Sequence, residues 1–274
     1  MLRRSPQFQT QMHQLVFLAL LASGCAGILL SFAQARSRAV FARDGLTEPP
    51  RRILAVSLLA VVLLMTVAIP FAGGLSGGAP ETKRLTVVSL FAVHGLLALF
   101  LVVYFGLTRG LSAADFLKLR SSRPWADLSV GFLIGLLGWA LTLIALIAAV
   151  AIWLFARRAG AETGMPSVSP TILWLASRPL AVRIGIVLSA MVVEELFFRS
   201  FLQTRVGPVA ATLMFTAAHG VYGQPLMLLG ILVISTVLSL AFAVYGNVLP
   251  CIVAHGTFDA IQMFVLIPLA MRAG

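Results

Sequence analysis

Eight apolar runs, at about 14–34, 53–72, 85–107, 128–155, 181–203, 208–222, 225–246 and 248–270, decide which solvent this chain folds in. A helix that crosses the hydrocarbon core of a bilayer needs about 20 predominantly apolar residues, and most of these runs reach that length. Only 11% of the 274 residues are charged and 60% are hydrophobic, whereas soluble domains carry about 25% charged residues. Backbone N–H and C=O groups find no water in the bilayer, so they must pair internally, which leaves helices or closed barrels. Barrels are built from short strands of alternating polarity, and continuous apolar runs do not supply them. The expected fold is an all-α polytopic membrane protein, a bundle of about eight transmembrane helices. The whole chain, 1–274, is expected to form one integral membrane domain.

Polar and helix-breaking stretches separate the runs, among them TEPPRR (47–52), GGLSGGAPETKR (73–84), SSRPWAD (121–127) and GAETGMPSVSP (160–170). PTILWLASRP (170–179) suits a short interfacial helix with Trp174 at headgroup level. The formal charge is +11, but the arginines sit mostly between apolar runs. That placement indicates membrane topology and anionic lipid rather than nucleic acid. Basic residues divide almost evenly between the two sides, with a thin margin for the loops after odd-numbered spans being inside and the termini outside. Cys25 and Cys251 both lie in apolar runs, so no disulfide framework or CxxC metal motif is available. LLASGC (20–25) behind Arg3 and Arg4 has the outline of a lipoprotein signal. The sequence stays apolar past Cys25, however, and an uncleaved first membrane helix is expected.

Ionisable residues inside the spans are few, and they cluster late. Glu194, Glu195 and Asp259 are the acids well inside apolar runs, and the four histidines are His13, His94, His219 and His255. An unpaired ion in hydrocarbon is costly, so such residues mark a functional site or a polar clamp between helices. Glu195 and Arg199 stand at i and i+4 with the acid first, the favourable order for a pair on one helix face. Glu194 is turned about 100° away and must find its partner on another helix, His219 being the candidate. His255 and Asp259 repeat the i, i+4 spacing, which lets a carboxylate set the tautomer of an imidazole.

Depth gives an independent reason to group these residues. At 1.5 Å per residue, Glu194 lies about 13 Å from the C-terminal end of its span. His219 and His255 lie about 16 Å and about 10 Å from the starts of theirs. Because the chain alternates direction, all three distances are measured from one membrane face. His13, at a span border, and His94, alone in FAVHGLL, fit no such pattern and are expected to be interfacial or simply satisfied.

The ordered motifs EExxxR (Glu194, Glu195, Arg199), FxxxH (Phe215, His219) and HxxxD (His255, Asp259) resemble the CPBP intramembrane protease family. That family is also called Abi or CAAX-protease and includes type II CAAX prenyl endopeptidases. The resemblance covers roughly 125–270, a catalytic core, and leaves 1–124 as generic N-terminal membrane helices. It implies peptide-bond hydrolysis in a polar intramembrane site without a metal cofactor. By that resemblance Glu194 and His219 activate a water, His255 and the residue one turn later stabilise the oxyanion, Glu195 and Arg199 support the site, and Phe215 packs beneath His219. Many family members carry Asn where this chain has Asp259. An ionised carboxylate cannot donate to an oxyanion, so either Asp259 is protonated or, as the preferred expectation, it only orients His255, which alone faces the oxyanion.

Other readings stay open at this stage. Two histidines and a carboxylate can bind zinc, although the HExxH spacing is missing. A polar cluster of this kind also suits an ion- or proton-coupled transporter, or a non-catalytic peptide-binding immunity or scaffold protein. The expected partners are the lipid bilayer and a membrane-associated protein or peptide. The expected location is a cell membrane, as a multi-pass protein of the bacterial cytoplasmic membrane.

Overall fold

The computed structural model describes residues 35–75, 86–158, 170–222 and 224–269, all helix and connecting turns with no strand among them. The first expected span, with Cys25 and His13, lies outside the described residues. The helices are α1 (Ala35–Arg43), α2 (Pro49–Leu63), α3 (Ile69–Leu75), α4 (Val87–Leu107), α5 (Ala113–Phe116), α6 (Pro124–Arg158), α7 (Pro170–Ala176), α8 (Leu180–Glu195), α9 (Thr204–Val206), α10 (Pro208–Ala218), α11 (Pro225–Tyr245) and α12 (Leu249–Ile261). Wider, π-helical turns join α2 to α3 (Leu64–Ala68), prolong α8 (Leu196–Gln203) and prolong α12 (Gln262–Leu266). Five helical stretches are long and apolar enough to cross a membrane: Pro49–Ala72, Val87–Leu107, Pro124–Arg158, Pro225–Tyr245 and Leu249–Leu269. The protein is a multi-pass, all-α membrane protein.

The element boundaries follow local chemistry. Prolines occupy the first turns of α2, α10, α11 and α12, where their missing N–H leaves no intrahelical bond unmade. Thr86 and Ser89 cap α4 reciprocally, each side chain accepting the other's backbone N–H at 3.1 Å. Gly246, with φ +69°, ends α11 in the left-handed conformation. PTILWLA forms the short helix α7 at the expected place.

Two packing arrangements position the later helices. α12 packs against both α6 and α8, and α11 packs against α6 and α10. Backbones approach closely along α6, because a Cβ at Gly131 would stand 2.6 Å from the Pro250 carbonyl oxygen. A Cβ at Gly135 would meet the Ala254 carbonyl oxygen at 2.7 Å. Small residues allow this approach, which in lipid is driven by contact rather than by water exclusion. It fixes the depth and rotation of α12, and with them His255.

The π-helical stretch after α8 has a different role. Phe197, Phe198, Arg199, Ser200, Phe201, Leu202 and Gln203 are all buried, so this segment has no lipid face and forms the middle of the bundle. Phe100 and Tyr104 of α4, Phe116 of α5 and Phe215 of α10 close around its rings. One surprise lies at the end of this core. Asp44, in the turn after α1, is buried and accepts hydrogen bonds from Tyr104 Oη (3.0 Å) and from Arg205 Nε and Nη2 (3.0 and 2.7 Å). The Arg205 guanidinium also lies 4.0 Å over the Phe201 ring. Sequence spacing indicates only one buried ion pair, Glu195–Arg199; the fold adds this second one between residues 161 positions apart.

Candidate active site

Glu195 is the node of the site. Its carboxylate is wholly buried, with Oε2 3.2 Å from Arg199 Nε and Oε1 2.9 Å from His255 Nδ1. The i, i+4 pair forms as expected, and the second oxygen reaches across to α12. Arg199, equally buried, also offers Nη2 to Ser235 Oγ at 3.4 Å and stacks its guanidinium 4.6 Å from the Phe215 ring. The carboxylate and the ring face offset part of the cost of placing this cation in an apolar core.

The structure adds a second carboxylate to the one expected at His255. The expectation made Asp259 the residue that orients His255 and left the other nitrogen to an oxyanion. In the structure Glu195 takes Nδ1, while Asp259 Oδ2 faces Nε2 at 3.4 Å. The reason is tertiary: a carboxylate has two oxygens, and only one of Glu195's is used by Arg199. Glu195 and Asp259 thus face the two nitrogens of the His255 ring from opposite sides. Its side chain is also the most exposed of the cluster, at 30%, against 6% for His255 and 0% for Glu195.

Glu194 faces the other way, as its 100° offset predicts. Its Oε2 is buried, takes no hydrogen bond from the protein, and lies 3.8 Å from His219 Nε2. His219 ends α10, and its Nδ1 donates to the Phe215 carbonyl oxygen at 2.8 Å. A carbonyl only accepts, so Nδ1 carries the hydrogen and Nε2 of the neutral ring presents a lone pair. The Phe215 ring lies under His219 at 4.7 Å between centroids and edge-on to His255 at 5.8 Å. Phe215 thus packs beneath His219 as expected, with both imidazoles and the Arg199 cation around one ring.

His94 is the residue that sequence reasoning set aside. It stands on α4, with Nε2 3.1 Å from Glu194 Oε1 and Nδ1 2.9 Å from Ser189 Oγ. His94 is satisfied at both nitrogens, as expected, but by the very cluster from which it was separated. The depth criterion contained a usable signal, since His94 lies about 20 Å from the loop end of α4, about 4 Å deeper than His219. Tyr222 is a second addition, its ring parallel to His219 at 6.0 Å.

Zinc would need lone pairs converging on one point. Both nitrogens of His255 are turned to carboxylates, and His219 and Glu194 face each other instead. Among the described residues no three His, Cys, Asp or Glu side chains are arranged to hold a metal ion.

No curated protein and no solved structure matches the chain. Residues 176–261, which run from the end of α7 to the end of α12 and carry all three motifs, match the family model described as type II CAAX prenyl endopeptidase Rce1-like, the family grouping those motifs resemble.

Proposed function

We propose that the protein is an intramembrane endopeptidase that hydrolyses a peptide bond of a membrane-associated protein or peptide with a water activated by Glu194 and His219. The matched family is a protease family. One observation carries the reading: two acceptors, the buried Glu194 Oε2 and the lone-pair nitrogen of the partly buried His219, stand 3.8 Å apart. Two acceptors cannot bond each other, but a water has two hydrogens to give them. Its oxygen lone pair then points away from both, towards an incoming carbonyl carbon.

In the proposed reaction the water oxygen bonds to that carbon while its proton passes to Glu194 Oε2. The C=O pair moves onto oxygen, and the His255 imidazolium, with Nδ1–H given to Glu195, offers its Nε2–H to that oxygen. Collapse breaks the C–N bond, and the proton held by Glu194 goes to the departing amine. The products are a free carboxylate end and a free amine end, and no group in the site is consumed. No metal takes part. The matched family model is described as a prenyl endopeptidase. We place the enzyme in a cell membrane of the bacterial cytoplasmic type.

The test has two stages. Comparative peptidomics of membrane and secreted fractions, from cells with the wild-type protein and with Glu194→Ala, identifies what is cleaved. Purified protein, dialysed against a strong zinc chelator and shown metal-free by elemental analysis, is then expected to cleave that peptide at an undiminished rate. An unchanged peptidome would refute the protease reading. Activity lost on chelation and restored by stoichiometric zinc would refute the metal-free mechanism.

Asp259 yields a sharper expectation. If its carboxylate only competes for the His255 Nε2–H, Asp259→Asn removes the competition and adds an amide donor. Turnover of the same peptide is expected at or above the wild-type value. Losing an oxyanion donor costs about 10²–10³-fold, so a fall of that size in Asp259→Asn would show that the acid itself serves the oxyanion.

A further inference from the structure

We infer that His94 is a positioning residue of the active site, holding Glu194 Oε1 so that Oε2 is aimed at His219; this rests on the protease reading above. The hydrogen bond from His94 Nε2 is the one that the described protein groups give to the Glu194 carboxylate. Both side chains are largely buried, at 11% and 13% exposure, so water competes weakly for it. The carboxylate has no hydrogen of its own when ionised, which makes Nε2–H the donor.

The far end of the ring is fixed as well. Ser189 Oγ lies 2.9 Å from His94 Nδ1 and 3.0 Å from the Ile186 carbonyl oxygen. Its hydroxyl can donate to Nδ1 or to the carbonyl, so it satisfies Nδ1 in either role. Ser189 and Glu194 are five residues apart on α8, a rise of about 7.5 Å. The imidazole of α4 spans that rise and is held at both ends. Rotation of the Glu194 carboxylate is thereby restricted, and its unbonded oxygen is left facing His219. The helix that provides this support lies outside the matched segment 176–261, so α4 completes the site rather than only packing around it.

Three measurements test the inference. The first is turnover, by purified detergent-solubilised variants, of the peptide that the Glu194→Ala comparison identifies. His94→Leu keeps the volume and removes the donor; kcat is expected to fall on the order of 10- to 100-fold with KM little changed. His94→Gln restores an N–H donor near the Nε2 position and is expected to recover most of that loss. Wild-type kcat in folded His94→Leu would overturn the inference, as would a His94→Gln variant no faster than His94→Leu. The second is the melting temperature of each variant, which shows that slow variants are folded. The third needs no substrate: in ¹⁵N-histidine-labelled protein the His94 Nε2 resonance is expected to shift on Glu194→Gln. An unmoved resonance would overturn the contact itself. A Glu194→Gln protein that still cleaves at the wild-type rate would instead defeat the protease mechanism, a result separate from either His94 outcome.

Discussion

Glu194→Gln is expected to abolish peptide cleavage while leaving the fold close to wild type. Glutamine keeps an oxygen for the His94 Nε2–H and fills the same volume. What it loses is the second acceptor, because the amide nitrogen cannot take a proton from water. A positioned general base contributes about 10²–10⁴-fold, which corresponds to about 3–5 kcal/mol of barrier. Removal of the nucleophile's alignment adds to that, since an amide N–H beside the His219 lone pair would bond to it directly and close the space for water. Stability should change little, because Glu194 has no buried cation depending on it. The measurements are turnover of the identified peptide and melting temperature in detergent. Turnover within tenfold of wild type would assign the base elsewhere.

What was legible in the sequence follows a simple physical division. Features set within one helix were readable from spacing alone. The Glu195–Arg199 pair forms at i, i+4, and Glu194 diverges from it by about 100° per residue towards another helix. Apolar length also sufficed for the membrane class and for the rough positions of most described spans. Features set by packing were not readable. His94 meets Glu194 only because α4 lies against α8, and a solitary histidine in FAVHGLL carries no local sign of that contact. The partner of His255 Nδ1 is 60 positions away, so spacing showed only the carboxylate at i+4, Asp259, which faces the other nitrogen. Asp44 gave still less. It stands in a turn beside arginines, where solvent exposure is the ordinary outcome. It is buried next to Gly45, whose φ of +69° lets the Arg109 backbone approach where a Cβ would collide. The wide turns of Leu196–Gln203 were equally hidden, since a π-helical register has no distinct periodicity over eight residues. Such turns are frequent at functional sites, and here one carries Arg199 from the end of α8 into the core.

The second large effect is expected at the neighbouring residue, and it is on stability. Glu195→Gln removes the charge that holds Arg199, and both side chains are fully buried. Arg199 would keep only Ser235 Oγ, at 3.4 Å, and the face of Phe215. Breaking a buried pair by removing one partner costs about 3–5 kcal/mol, a large part of the about 5–15 kcal/mol that holds a typical domain folded. Glu195→Gln should therefore express poorly and melt well below Glu194→Gln, although the two substitutions are chemically identical and adjacent. The double variant Glu195→Gln, Arg199→Met separates the causes. With no cation left to strand, its melting temperature is expected to recover towards wild type, since replacing a whole buried pair by packed apolar groups is often neutral. Its activity is not expected to recover, because His255 Nδ1 still lacks the carboxylate that orients the ring. Equal melting temperatures for Glu194→Gln and Glu195→Gln would contradict the division of labour between the two glutamates. A double variant that regained full turnover would show that Glu195 serves Arg199 alone.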